Sequence, residues 1–380
     1  MQPLSSPVDA ISPAFRRART VLTPPAPVPG VATPFRFWFF LKTAVTGALT
    51  QGNIYGFFVG ILLEGAALCL ALAGYSFRRA DTSFSHSHGA NPLLMAFLAV
   101  AIAVVLLIGI FLMWLWCRLR FTLFDLVVYR RGLVGQAWAP YGSQSWRFLG
   151  LNLVIGLALL LILAVAAGPL VLHLIVTLRR LGAGQLNNNP ALVFSHILPL
   201  YGIVLLIALL AGLVSAMTQD FILPPLALED APLAASFARF FALVRTRFWR
   251  LVLYLLFRIG LALGLRWAGS IVIFFVLLVL GGGGAGVGFV LYHALWHSGP
   301  GGIAVFVLYC IVAALVILTT YVLLILALYG LIAIVKQCYA VYFYGSVYPR
   351  LGDLLDPLPA APAPLVPPPL SPLEDRPAAP

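Results

Sequence analysis

Two oppositely charged residues stand inside long apolar runs: Glu64, midway along residues 54–76, and Arg258, near the start of residues 251–280. An unpaired charge at such depth costs several kcal/mol, so each needs a partner or a function. Counting about 1.5 Å of helix per residue puts Glu64 about 15 Å and Arg258 about 11 Å from the same edge. A Glu64 to Arg258 pair is therefore sterically reasonable. It supports two readings: a helix-locking ion pair or a protonated Glu64, and a proton or ion path through the helices. Arg266 lies deeper again, which leaves open whether that run begins near Leu251 or near Ala268.

The histidines are a second candidate. His86 and His88 lie between the first two apolar runs, and His293 and His297 are one helical turn apart between the last two. Imidazoles so spaced can chelate zinc or copper, yet only Asp81 offers a nearby carboxylate, and solvated loop histidines explain the pattern as well. His173 and His196 fall inside or near the ends of runs, where neighbouring helices satisfy them. The stretch Gly281 to Gly288 holds six glycines but lacks the Gly-Lys-Ser/Thr ending of a phosphate loop and points to helix packing or a span end. Cys69, Cys117, Cys310 and Cys338 are scattered, as packed thiols are. No Ser-His-Asp, paired-carboxylate or Cys-His arrangement nominates a nucleophile. The reading is of a chain that is not an enzyme and carries no cofactor.

The elements that hold these residues follow from hydropathy. Apolar runs cover about 54–76, 92–117, 149–178, 191–217, 251–280 and 302–328, each long enough for the roughly 20 residues of a bilayer-spanning helix. Helices satisfy their own backbone hydrogen bonds in lipid, so the expected fold is all-α: a polytopic membrane bundle of about six transmembrane helices with interfacial amphipathic helices. With 62% hydrophobic and 9% charged residues, the chain has no room for a sizeable water-soluble domain. Residues 1–33 read as an N-terminal cytoplasmic segment, 34–352 as the membrane domain and 353–380 as a disordered Pro/Ala-rich tail. No removable signal peptide is expected.

The net charge of +12 comes from arginines set between apolar runs, which signals topology and not a nucleic-acid partner. Arg16, Arg17, Arg19, Arg36 and Lys42 precede the first run; Arg118, Arg120, Arg130, Arg131 and Arg147 separate the second and third; Arg239, Arg245, Arg247 and Arg250 separate the fourth and fifth. The other connections are poorer, with none between Trp296 and Gly302. Positive residues stay inside, so both termini are expected in the cytoplasm.

Two of the positive segments read as helices. Asp230 is a candidate N-cap, Pro232 fits the first turn, and Leu233, Phe237, Phe240, Phe241, Val244 and Phe248 form one stripe flanked by arginines. Residues 33–49, with Pro34, Phe35, Trp38, Phe39 and Val45, read similarly, either as an interfacial helix or as one packed under the bundle. Arg239, Arg245, Arg247, Trp249 and Arg250, with Trp146 and Arg147, are the candidate lipid-headgroup contacts. Phe121, Phe124 and Asp125 before Trp146-Arg147 echo Asp220 and Phe221 before Trp249-Arg250, although unequal intervals make Trp-Arg as readily a common interfacial anchor.

Residues Ile11 to Phe15, Arg19 to Leu22, Phe35 to Lys42, Arg120-Phe121 with Asp125, Asp220-Phe221 with Pro224, and Tyr339 to Tyr348 resemble an uncharacterised family of bacterial six-helix membrane proteins. That family is distantly similar to the membrane domain found beside some glycerophosphodiester phosphodiesterases. The resemblance runs from about Ile11 to Asp353 and implies a fold and a bacterial inner-membrane location, not hydrolysis. The expected function is a non-enzymatic scaffold or accessory component whose partners are membrane lipids and other membrane proteins. The alternative is a small-molecule or lipid permease using Glu64 and Arg258.

Overall fold

The computed structural model describes residues 6–23, 36–51, 92–130, 134–186 and 190–355. Within them the chain is all-α. After a 3-10 turn at Pro7–Ala10 come α1 (Ile11–Leu22), α2 (Phe37–Thr50), α3 (Pro92–Tyr129), α4 (Val134–Trp138) and α5 (Gly142–Leu186). Then follow α6 (Pro190–Met217), a π-helical turn (Thr218–Ile222), α7 (Leu223–Glu229), α8 (Leu233–Leu295), α9 (Pro300–Gly345) and α10 (Pro349–Leu355). The run at 54–76, with Glu64, and the loop bearing His86 and His88 lie outside the described residues, as does most of the C-terminal tail.

Five described segments, within α3, α4 to α5, α6 to α7, α8 and α9, are long and apolar enough to cross a membrane. Their outward faces carry a nearly unbroken apolar surface: Val100 to Leu112 on α3, Leu205 to Leu213 on α6 and Leu315 to Leu323 on α9 contribute exposed aliphatic side chains. Soluble monomers rarely expose contiguous apolar area beyond a few hundred Å2, so this surface asks for a lipid-like solvent.

The helices are longer than the apolar runs they contain. Arg118 and Arg120 continue α3, and Arg239 to Arg250 lie in the first turns of α8, so these stretches are helix where the charges suggested connections. Neither stretch contains a proline, and Arg120 and Arg239 find partners in Ser215 and Glu229. Those contacts build a cap at one end. α1, the end of α3, α4, the π turn, α7, the end of α9 and α10 pack around Phe121, Phe124, Phe148, Phe221, Tyr254 and Tyr339, all fully buried.

Arg17, read from the sequence as a topology signal, is buried in this cap and donates to the carbonyls of Val127 (2.9 Å) and Val128 (2.6 Å). It satisfies orphan carbonyls at the end of α3 and sits where a helix macrodipole favours a cation. The helix expected over 33–49 is found as α2, which packs along α9 through Ala44, Gly47 and Thr50 and leaves Phe37 and Trp38 exposed. The crossing is close: a Cβ on Gly330 would stand 2.0 Å from the Ala44 carbonyl oxygen.

Two local expectations are corrected. Asp230 does not cap α8; it takes the left-handed conformation (φ 49°) that ends α7, and Pro232 occupies the N-cap position. The expected aromatic stripe on α8 divides, because Ser236 and Leu243 are buried beside half-buried Leu233, Phe240 and Val244, while Phe241 and Phe248 face outward. A kink at Arg247 (φ −137°, ψ 37°) then redirects α8 from the cap into its long apolar part.

Candidate functional site

The π turn at Thr218–Ile222 has a local cause. Pro224 and Pro225 carry no N–H, so two preceding carbonyls lose their helical donors, and the Leu223 N–H bonds five residues back to Thr218. The widened turn aims Asp220 into the junction of α6, α8 and α9, where it is essentially inaccessible (1% exposed).

Arg258 of α8 grips Asp220 at both oxygens, 3.1 Å each, and Tyr254 one turn earlier donates its hydroxyl at 2.6 Å. Tyr254 is held in a stack between Tyr339 (centroids 5.2 Å) and Phe343 (4.3 Å) of α9. A buried carboxylate that accepts two guanidinium bonds and a phenol bond has its lone pairs largely used, the condition under which a buried ion pair is tolerated.

Around this pair is a polar pocket of about 170 Å3 where α2, α3, α6, α8 and α9 meet. Arg120 of α3 donates to Ser215 Oγ of α6 at 3.2 Å and lies over the Trp116 ring, 3.3 Å from its centroid. Lys336 of α9 donates to Gln51 Oε1 at 2.6 Å, just past α2, and Gln219 Nε2 donates to Gln337 Oε1 at 3.0 Å. Thr50, Gly212 and Ala333 complete the wall. A wider apolar cavity of about 810 Å3 lies between α2 and α3 to α4, against Phe37, Trp38, Phe39 and Leu126, with Arg36 and Lys42 at its polar side.

Arg258 is buried and charge-paired, and its carboxylate partner among the described residues is Asp220. Glu64 lies outside the described residues. Arg266, exposed on α8, donates to the Tyr329 hydroxyl of α9 at 2.8 Å. The candidate headgroup residues gather on the cap: Arg239 pairs with Glu229 (2.8 Å), Arg147 with Asp230 (3.0 Å), and Trp249 and Trp146 are 79% and 58% exposed. Arg245, Arg247 and Arg250 are exposed beside them. Glu229 also accepts from Tyr348, whose hydroxyl is pushed upward in pKa by burial and then by that carboxylate.

His293 and His297 sit at the opposite end of α8, His293 against the Phe289 ring. Among the described residues no three His, Cys, Asp or Glu side chains are placed to hold a metal. The glycine run lies within the apolar part of α8; among the described residues only Gly284 and Gly288 of the run meet a neighbour, Tyr309, whose hydroxyl donates to the Gly284 carbonyl at 2.6 Å. Cys117 and Cys338 are buried and Cys310 is exposed on α9.

Asp220, Arg120, Lys336 and the three glutamines were not read as a site from the sequence. Their signal was available: Gln219-Asp220 and Lys336-Gln337 are polar pairs that each end a long apolar run. Asp125 repeats part of the Asp220 arrangement, accepting from Tyr141 at 2.6 Å, but Tyr141 precedes its Trp-Arg pair and Tyr254 follows its own.

A model described as "Family of unknown function (DUF7544)" matches residues 5–354. No curated protein and no solved structure matches the chain.

Proposed function

The chain belongs to that family of unknown function, DUF7544, and we propose that it is a non-enzymatic, multi-pass integral membrane protein acting as a scaffold or accessory component through its cap. The observation that carries this reading is the cap's construction. Its interior is locked by buried contacts, Arg17 on the end of α3 and Arg258 on Asp220, while its outer face keeps Trp146, Trp249, Phe241, Arg245 and Arg250 exposed. A rigid platform with outward aromatic and cationic side chains suits contact with anionic headgroups and with other membrane proteins. The reading places the protein in a cell membrane, with the cap and both termini on the cytoplasmic side, and assigns it no nucleic-acid partner.

A permease is the second reading, favoured by the polar cavity beside Arg258. In cells lacking the protein, Trp249→Ala with Arg250→Ala should fail to restore the wild-type phenotype, whereas Glu64→Gln should restore it at equal membrane abundance. The reverse pattern would favour the permease.

A further inference from the structure

We propose that the cavity bounded by Arg120, Arg258 and Lys336 binds a phosphate-class anion, presented either by an anionic phospholipid headgroup or as free phosphate. Three cationic side chains border one small space, and the carboxylate among them, Asp220, is already held by Arg258 and Tyr254. The remaining hydrogen-bonding capacity is almost all of one kind. Gln51 and Gln337 spend their carbonyl oxygens on Lys336 and Gln219, and their amide nitrogens, with Arg258 Nε, are buried donors that have no acceptor among the described residues. Gln337 is 98% buried, so water at the surface does not satisfy it. Buried donors without acceptors cost free energy, and a small anion with several acceptor oxygens meets that need. The cavity of about 170 Å3 exceeds by more than tenfold the about 10–15 Å3 that admits one water.

The depth of the site suits the same ligand. Along α6 and the π turn, Pro190 to Gln219 measures about 43 Å of helix. A bilayer with both headgroup layers is about 40–45 Å thick. Gln219 therefore stands at the headgroup layer, nearly two turns beyond exposed Leu213, whose neighbours Gly212 and Ser215 form the cavity wall. An anionic headgroup could enter sideways there, and free phosphate could enter from the aqueous side.

The test uses the full chain in mild detergent and reads the thermal unfolding midpoint during titration with phosphatidylglycerol, phosphatidylcholine or inorganic phosphate at constant ionic strength. A saturable rise with phosphatidylglycerol but not phosphatidylcholine or phosphate identifies a headgroup site; a rise with phosphate identifies a free-anion site. In either case Lys336→Met should weaken the half-saturating concentration by about tenfold or more, the loss expected for one charged hydrogen-bond donor. Gln51→Leu, which removes an uncharged donor, should weaken it less and serves if Lys336→Met fails to fold. Arg19→Ala, exposed on α1 and not part of the cavity lining, should respond as wild type. No rise with either anion, or folded Lys336→Met and Gln51→Leu proteins that both titrate like wild type, would overturn the proposal.

Discussion

Tyr254, Asp220 and Arg258 form a unit whose members have unequal consequences. Removing the Tyr254 hydroxyl takes one bond from a buried carboxylate that keeps its guanidinium, so Tyr254→Phe should cost about 1.5–3 kcal/mol. Asp220→Asn leaves Arg258 buried without its counter-charge and should cost about 3–5 kcal/mol. Asp220→Asn combined with Arg258→Met removes both charges and should lose less than the sum of the single replacements. Denaturant unfolding of the detergent-solubilised proteins checks all three; strict additivity would mean that the pair does not act as a unit. The sequence disclosed half of this arrangement. Burial cost demanded a carboxylate for Arg258, but depth counting could offer only acids within apolar runs, and Asp220 had the appearance of a connection residue. Its inward aim depends on a π turn forced by two prolines, a geometric effect that leaves no mark in hydropathy.

At the scale of helices, glycine is the residue whose role depends most on place. Gly330 is pressed against the α2 backbone, so Gly330→Ala should separate α2 from α9 and cost at least about 1–3 kcal/mol. A Cβ on Gly282, inside α8, would meet nothing within 4 Å among the described residues, so Gly282→Ala should be neutral or stabilising by up to about 1 kcal/mol. Unfolding midpoints of the two variants test the contrast, and equal responses would contradict the α2 to α9 crossing. The conspicuous glycine run attracts attention in the sequence, whereas Gly47 and Gly330 are isolated and 283 residues apart. Periodicity reports what one helix does alone; a close crossing belongs to two. The same limit explains why the apolar runs found helices α3, α5, α6, α8 and α9 but understated the lengths of all except α6. A hydropathy window ends at the first arginines, while the helix continues wherever a tertiary partner, such as Ser215 for Arg120, satisfies the side chain.

Across the whole molecule, charge and packing divide the two ends. The cap contains Arg17, Arg118, Arg120, Arg147, Arg239, Arg245, Arg247, Arg250 and Arg350, whereas the α8 to α9 turn at the far end, Trp296 to Gly299, contains no arginine or lysine. Because α1 and α10 both pack into the cap, the described parts of the two chain ends share its side. A basic end is retained in the cytoplasm, so the α8 to α9 turn should face outward. Ser143 at the start of α5 and Ser298 in that turn are both exposed and report the two ends. In intact cells a membrane-impermeant maleimide should label Ser298→Cys and leave Ser143→Cys unlabelled; in inverted vesicles the pattern should exchange. The parent protein sets the background, with Cys117 and Cys338 buried and Cys310 on the apolar surface of α9. Labelling of both positions from one side would mean that α8 does not cross the bilayer, despite the length and hydropathy of its apolar part. An exchanged pattern would place the cap outside, and its arginines would then act through contacts such as Arg17 on α3 and Arg258 on Asp220 without setting the orientation.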